Sequence, residues 1–183
     1  MIKGIFIILS FFSIYFSYSQ TKLEQAVIKE LNDYRKKHNL VALVYDAKSS
    51  EMSKYHAVYL KKLNEYNYSP LDLNGNQKHD ELIDLPDFKE MTFEERAKKV
   101  LHLQWLGEIL IQCAFKHENN EETAKSIINS FHNSPGHREI MQTYYNPKIL
   151  DRVIPTVSIS VLEIESDSGC SVVVNINVGY SVK

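Results

Sequence analysis

The chain has 183 residues and a formal charge of −2, with 21 basic against 23 acidic side chains. That length suits one domain with a real core. The absence of a basic excess argues against nucleic acid as a partner, because binding it requires a face that neutralises phosphates.

The first nineteen residues read as a secretory signal peptide: Lys3 supplies the positive start, Ile5 to Phe12 is apolar apart from Ser10, and Ser17 and Ser19 place small residues before Gln20. An uncleaved anchor is the other reading of this run, but serines interrupt it and it is short for a membrane span. Cleavage before Gln20 leaves 20–183 as a single domain with net charge −3, since Lys3 is the only charged side chain removed. The protein is then expected outside the cytoplasm, either secreted or in the periplasm and cell envelope. No later segment is long and apolar enough to cross a membrane. Cys113 and Cys170 would meet an oxidising compartment, either joined in one disulfide or packed as two buried thiols.

Thr21 with Glu24 forms a capping box, and Leu23, Val27, Leu31 and Tyr34 share one helical face, so a helix is expected to end near His38-Asn39. The apolar run Leu40 to Tyr45 leads to Asp46, a cap for a second helix with a Met52, Tyr55, Tyr59, Leu63, Tyr66 stripe. His56 borders that stripe and reads as a packed, hydrogen-bonded histidine rather than a ligand. Tyr68 to Glu90 is punctuated by turn residues and contains His79-Asp80-Glu81, able to hold a cation or to face water. Met91 to Val100 predicts a short helix capped by Thr92, with Glu95 three residues on.

Gly107 to Phe115 reads as a strand with Ile109, Ile111 and Cys113 on one face and Glu108, Leu110 and Gln112 on the other. Glu108 is then a carboxylate among apolar neighbours, explained by a polar cleft or by an edge position that reaches solvent. A third long helix, capped around Asn119-Asn120, turns Ala124, Ile127, Ile128 and Phe131 inward. It runs into Ser134-Pro135-Gly136-His137-Arg138. Ser134 is a good N-cap there, Pro135 suits the first helical position, and Gly136 leaves space beside His137. The positive end of that helix favours a neutral His137, fit for a metal ligand or acid/base, although a solvated pair of side chains at a capped helix explains the same pattern. Asn146-Pro147 marks a turn. The alternation of Val157, Ile159 and Val161, then of Val172 to Tyr180, predicts paired antiparallel strands around Ser166-Asp167-Ser168-Gly169. Helices first and strands late indicate an α+β fold.

The order of these features resembles the CAP superfamily, the SCP-like extracellular domains related to cysteine-rich secretory proteins, antigen 5 and pathogenesis-related proteins, and above all its short bacterial members. The matching pieces are Leu31-Asn32-Asp33-Tyr34-Arg35, Tyr45-Asp46, His56-Ala57, His79, Gly107-Glu108 and Phe131 to Arg138, in that order. The resemblance implies a three-layer α–β–α sandwich with a mostly antiparallel central sheet. It also implies a cleft of histidines and acidic residues that in some members holds zinc or another divalent ion, here carried by His79, Glu108 and His137. Ile109 stands where the family usually has Asn, and Phe131 where a Trp is common, so a metal-free cleft is the other reading.

Two classes of function follow. One is a binding module for a lipid, envelope or protein ligand, with a divalent cation, zinc first, in its cleft. The other is a hydrolase that uses Glu108 and His137 as the catalytic pair, with or without a metal. Ser134 is a weak nucleophile candidate because capping would occupy its hydroxyl. The sequence contains no His-Glu-x-x-His motif, phosphate-binding loop or dinucleotide fingerprint.

Overall fold

The computed structural model describes residues 20–66, 68, 79–81, 83, 85–100, 102–114, 119–166 and 169–183. The proposed signal peptide lies outside the described residues, as do the side chains of Cys113 and Cys170 and hence the question of their pairing. In chain order the elements are α1 (Lys22–Lys37), β1 (Val44–Tyr45), α2 (Ala47–Glu65), α3 (Phe93–Lys98), β2 (Leu103–Ala114), α4 (Asn120–Asn133), α5 (Pro135–Met141), β3 (Val153–Ser166) and β4 (Gly169–Val182). Among the described residues no helix is long and apolar enough to cross a membrane.

The sheet runs β1-β3-β4-β2. β3 and β4 form the expected hairpin, in register from Val153 opposite Val182 to Ser166 opposite Gly169, and β2 runs antiparallel to β4. Only β1 is parallel, a two-residue pairing of Val44 and Tyr45 with Thr156 and Val157, so the sheet is mixed rather than purely antiparallel. β2 begins four residues earlier than its apolar alternation predicts, because a bulge between Trp105 and Gly107 breaks the period.

One face of the sheet buries an apolar core with α1, α4 and α5, including Val27, Leu31, Ile127, Phe131, Ile159 and Ile176. The other face carries α2, whose Ala57, Leu60 and Leu63 meet Leu110 and Val173. This is the three-layer α–β–α arrangement. The expected α2 stripe needs a correction: Tyr66 is exposed, Met52 is only partly buried, and Ser49, Ser53 and His56 point inward instead. The reason lies opposite them, where the sheet presents Ser158, Ser160 and Asn177, a polar surface that accepts polar side chains from the helix.

Capping follows local chemistry. The Thr21 hydroxyl accepts from Glu24 N at 3.1 Å and Glu24 Oε2 accepts from Thr21 N at 2.8 Å, and Thr92 with Glu95 repeats the pattern at α3. Asp46 caps α2 by accepting from Ser49 N at 2.7 Å. Beyond the short β1, side chains take over the edge of β3. Ile159 N donates to Ser50 Oγ and Val161 N to Glu24 Oε1, each at 3.1 Å, so Glu24 both caps α1 and covers a strand edge. Arg35, fully buried, donates to the carbonyls of Val41, Met141 and Thr143 at 2.8, 2.7 and 3.1 Å, which ties the end of α5 to α1.

At Gly179 the β2 backbone passes so closely that a Cβ would lie 2.3 Å from the Gln104 carbonyl oxygen, whereas a Cβ at Gly136 would meet nothing within 4 Å. Gly179→Ala should therefore lower stability by about 3 kcal/mol, as overpacking against rigid backbone does. Gly136→Ala should raise it by roughly 0.5 kcal/mol through helix propensity. Urea unfolding of the two variants beside the parent protein checks both signs.

Candidate functional site

The site begins with Arg96 on α3, a side chain buried completely. Its Nη2 donates to both oxygens of Glu108, at 2.8 Å and 2.9 Å, and to the His79 carbonyl at 3.0 Å. Its Nη1 donates to Glu81 Oε1 at 2.5 Å, and His56 Nδ1 lies 2.5 Å from that same oxygen. One guanidinium thus joins two buried carboxylates, with an imidazole behind each of them.

Short-range chemistry delivers these groups. The Thr92 capping box starts α3, and Asp80 Oδ1 accepts from Phe93 N at 2.6 Å, fastening the preceding segment to the helix. Glu81 and Met91 form an isolated antiparallel bridge, with N–H···O distances of 2.7 and 2.8 Å in the two directions. From α2, the Tyr59 and Tyr55 hydroxyls accept from Ile83 N and Lys89 N at 3.0 and 3.2 Å. Those tyrosines therefore hold the backbone of the site segment as well as packing.

Of the sequence candidates, His79 and Glu108 meet directly, with His79 Nδ1 3.0 Å from Glu108 Oε1. The His79 side chain is 43% exposed and that of Glu108 only 1%, so the imidazole is the outer member of the pair. Asn175 Nδ2 on β4 donates to Glu108 Oε2 at 2.9 Å, which completes four contacts on the carboxylate. Glu108 is therefore a buried residue of a polar layer, and the edge position reaching solvent is not what is found. Burial pushes its carboxyl upward, but the charge of His56, the hydrogen bond from His79 and the guanidinium of Arg96 outweigh that and hold it at about 2.

His137 sits in the first turn of α5, partly buried, its ring edge-on to Phe131 at 5.2 Å. Burial, then the charge of His79, lowers its pKa and favours the neutral imidazole. Ile140 of the same helix packs over Gly107, and the next residue, Glu108, points to the opposite face of β2. His137 feels the charge of His79 but makes no described hydrogen bond to Glu108, whose bonds go to Arg96, Asn175 and His79. Ser134 has the backbone of an N-cap, but its side chain makes no capping bond, contrary to expectation. It also closes α4, with Ser134 N donating to Phe131 O at 3.2 Å, and its conformation serves both helices.

His56 is the packed, hydrogen-bonded histidine its sequence context predicts. The His79-Asp80-Glu81 run neither faces water as a unit nor acts as one ligand group, because each side chain has a different partner. Arg96 and Asn175 are the residues that sequence reasoning missed. An arginine in a short amphipathic helix reads as solvated, and an Asn in an alternating strand reads as outward-facing.

Glu108 has a folded pKa below its ordinary 4.5, so its contribution to stability is present above that value and is lost as pH falls toward about 2. His137 acts in the same direction at higher pH: its lowered pKa lets the unfolded chain bind the proton first, so stability declines as pH drops below 6.5. Glu108→Gln leaves Arg96 short of a charge partner and should cost about 3–5 kcal/mol at neutral pH. That deficit should shrink between pH 4.5 and 2, where the parent carboxylate also takes up its proton. Chemical unfolding of both proteins across this range would reveal it, and a deficit independent of pH would contradict the charge assignment.

Comparisons with known proteins agree with this architecture. The Cysteine-rich secretory protein family (CAP) matches residues 28–142. No curated protein matches the chain. Among solved structures, the chain is similar to an outer surface protein from Borrelia burgdorferi, with a TM-score of 0.54 and 19% identity, over 90% of this chain and 97% of that one. An extracellular protein containing a SCP domain from Bacillus anthracis str. Ames aligns with a TM-score of 0.47 and 16% identity, over 84% of this chain and 39% of that one. With the family matched across more than half of the chain, including the later part of α1, the Arg96–Glu108 pair and the Ser134–Arg138 segment, the chain belongs to the cysteine-rich secretory protein (CAP) family.

Proposed function

We propose that this CAP domain is an extracellular or cell-envelope binding module whose cleft takes a divalent cation, zinc first, through His79 and His137. The observation that carries this reading is the His79–Glu108 pair. When Nδ1–H of His79 donates to Glu108, the proton is fixed on that nitrogen and Nε2 keeps its lone pair on the exposed side. His137 is held toward its neutral form, the form a metal requires. The donor set therefore suits zinc as two imidazoles, with the remaining positions left to water or to a ligand group.

Glu108 has a different part from the one expected of a ligand. Its two oxygens already accept four hydrogen bonds, two of them from a guanidinium that would repel an incoming cation. We assign it to the shell behind the metal, where it orients His79. The same contacts weigh against general-base work, since a carboxylate held at about 2 has little affinity for a proton at neutral pH. A bound cation would polarise a ligand oxygen, and the partner it recruits is sought among lipid, envelope or protein surfaces outside the cell. The similar Borrelia protein is an outer surface protein, which supports that location, as does the secretory character of the first nineteen residues.

Titration of tag-free protein with zinc chloride, followed by equilibrium dialysis and metal analysis, tests the reading. The parent should bind one zinc per chain, and His79→Ala or His137→Ala should abolish it. Glu108→Gln, checked for folding by circular dichroism, should weaken binding by about 10–100-fold, as expected of a group behind a ligand. Affinity should fall on acidification as the imidazoles take up protons. Zinc uptake unchanged in both histidine variants, or none in the parent protein, would sink the proposal.

A further inference from the structure

The interface between the first half of α2 and the sheet is built from small polar side chains. Ser49, Ser50 and Ser53 line the helix side, and none of them is exposed. Thr156, Ser158 and Ser160 occupy successive inward positions of β3 and are at most 4% exposed. A helix-to-sheet contact is ordinarily filled by branched apolar side chains, as it is in the later turns of α2 at Leu60 and Leu63.

Part of this layer is fully bonded. Ser49 and Ser50 hydroxyls donate to the Asp46 carbonyl, at 3.2 and 2.9 Å. Asn177 Nδ2 donates to Ser53 Oγ at 2.9 Å and to Asn175 Oδ1 at 2.8 Å, and Asn175 passes the chain on to Glu108 Oε2 at 2.9 Å. Four atoms of the same layer are buried without a partner: Thr156 Oγ1, Ser158 Oγ, Ser160 Oγ and Asn177 Oδ1. They are not scattered. Ser158 stands directly across from Asn177 in the β3–β4 register, and Ser160 across from Asn175, whose own groups are both used. A hydroxyl that needs an acceptor and an amide oxygen that needs a donor thus face each other on adjacent strands without bonding.

We infer that ordered water molecules are built into this layer, one bridging Ser158 Oγ to Asn177 Oδ1 and others serving Thr156 and Ser160. Water is the ligand whose chemistry fits. It supplies both donors and acceptors, and Ser158 Oγ and Asn177 Oδ1, facing each other across the strands, offer the two polar partners a buried molecule needs. Leaving these groups bare would cost their full desolvation with nothing in return. The waters extend the Asn177–Asn175 chain into a hydrated relay that ends on Glu108. The buried carboxylate is then backed by an exchangeable polar interior instead of a dry core.

A crystal structure at about 1.5 Å, together with water–amide ROESY spectra of 15N-labelled protein, tests this directly. Density within about 3.2 Å of both Ser158 Oγ and Asn177 Oδ1, with cross-peaks from long-lived water to the amides of residues 158–160, is the expected result. Ser158→Val should displace the bridging molecule and erase those cross-peaks while the far-UV spectrum is kept. If that variant fails to fold, Ser158→Ala should shift or weaken the same peaks. A direct Ser158–Asn177 hydrogen bond, with no water density and no cross-peaks in the parent protein, would overturn the inference.

Discussion

The site is organised by the burial of the Arg96 guanidinium between two carboxylates. A charge taken out of water is tolerable only when it is paired and its donors are used. Arg96 is paired with Glu81 and Glu108 through its two terminal nitrogens, with the His79 carbonyl taking a further N–H, while its Nε is buried without a hydrogen-bond partner. This fixes the position of α3 against β2 and the path of the segment that carries His79. It also fixes the ionisation of Glu108, since the cationic surroundings more than offset the cost of burying a carboxylate. Removing either member would leave the other charged and stranded, so the cluster stands or falls as a unit.

The two faces of the sheet are stabilised in different ways. Against α1, α4 and α5 the strands present Val and Ile in a continuous apolar core, and the buried Arg35 adds backbone bonds that lock the end of α5 to α1. Against α2 they present hydroxyls and amides that lead to Glu108, and apolar packing is confined to the later turns of that helix. The apolar face is the scaffold. The polar face leads to Glu108, whose outermost partner is the half-exposed imidazole of His79. Placing an imidazole on a buried, immobile carboxylate orients its ring without using solvent-exposed side chains.

Several parts of this were legible before any coordinates. The capping boxes at Thr21 and Thr92 announce α1 and α3 because both partners are three residues apart and the chemistry is local. The alternation in β3 and β4 announces a hairpin because the pleat has period two. Of the residues that carried the family resemblance, His79 and Glu108 meet directly, His56 is buried against Glu81, and Ala57 belongs to the apolar core under α2. The tyrosines of α2 were legible as packing residues, but their hydroxyls also hold the backbone at Ile83 and Lys89.

Local order, by contrast, says little about charge partners. Glu24 shows its capping role three residues away, but its bond to Val161 N spans 137 positions and only the packed sheet creates it. Arg96 and Glu108 lie 12 residues apart, in different elements with a bulge nearby, and although Glu108 stands out among apolar strand neighbours, nothing in either segment pairs the two. Asn175 is 67 residues from the carboxylate it completes. Sequence by itself determined the periodicities, caps and turns, hence the elements and their class, because these depend on neighbours within a few residues. Tertiary structure decided which polar side chains would be buried, which would share a proton or a charge, and which face of α2 would turn inward, because those outcomes depend on desolvation, and desolvation exists only once distant segments close over one another.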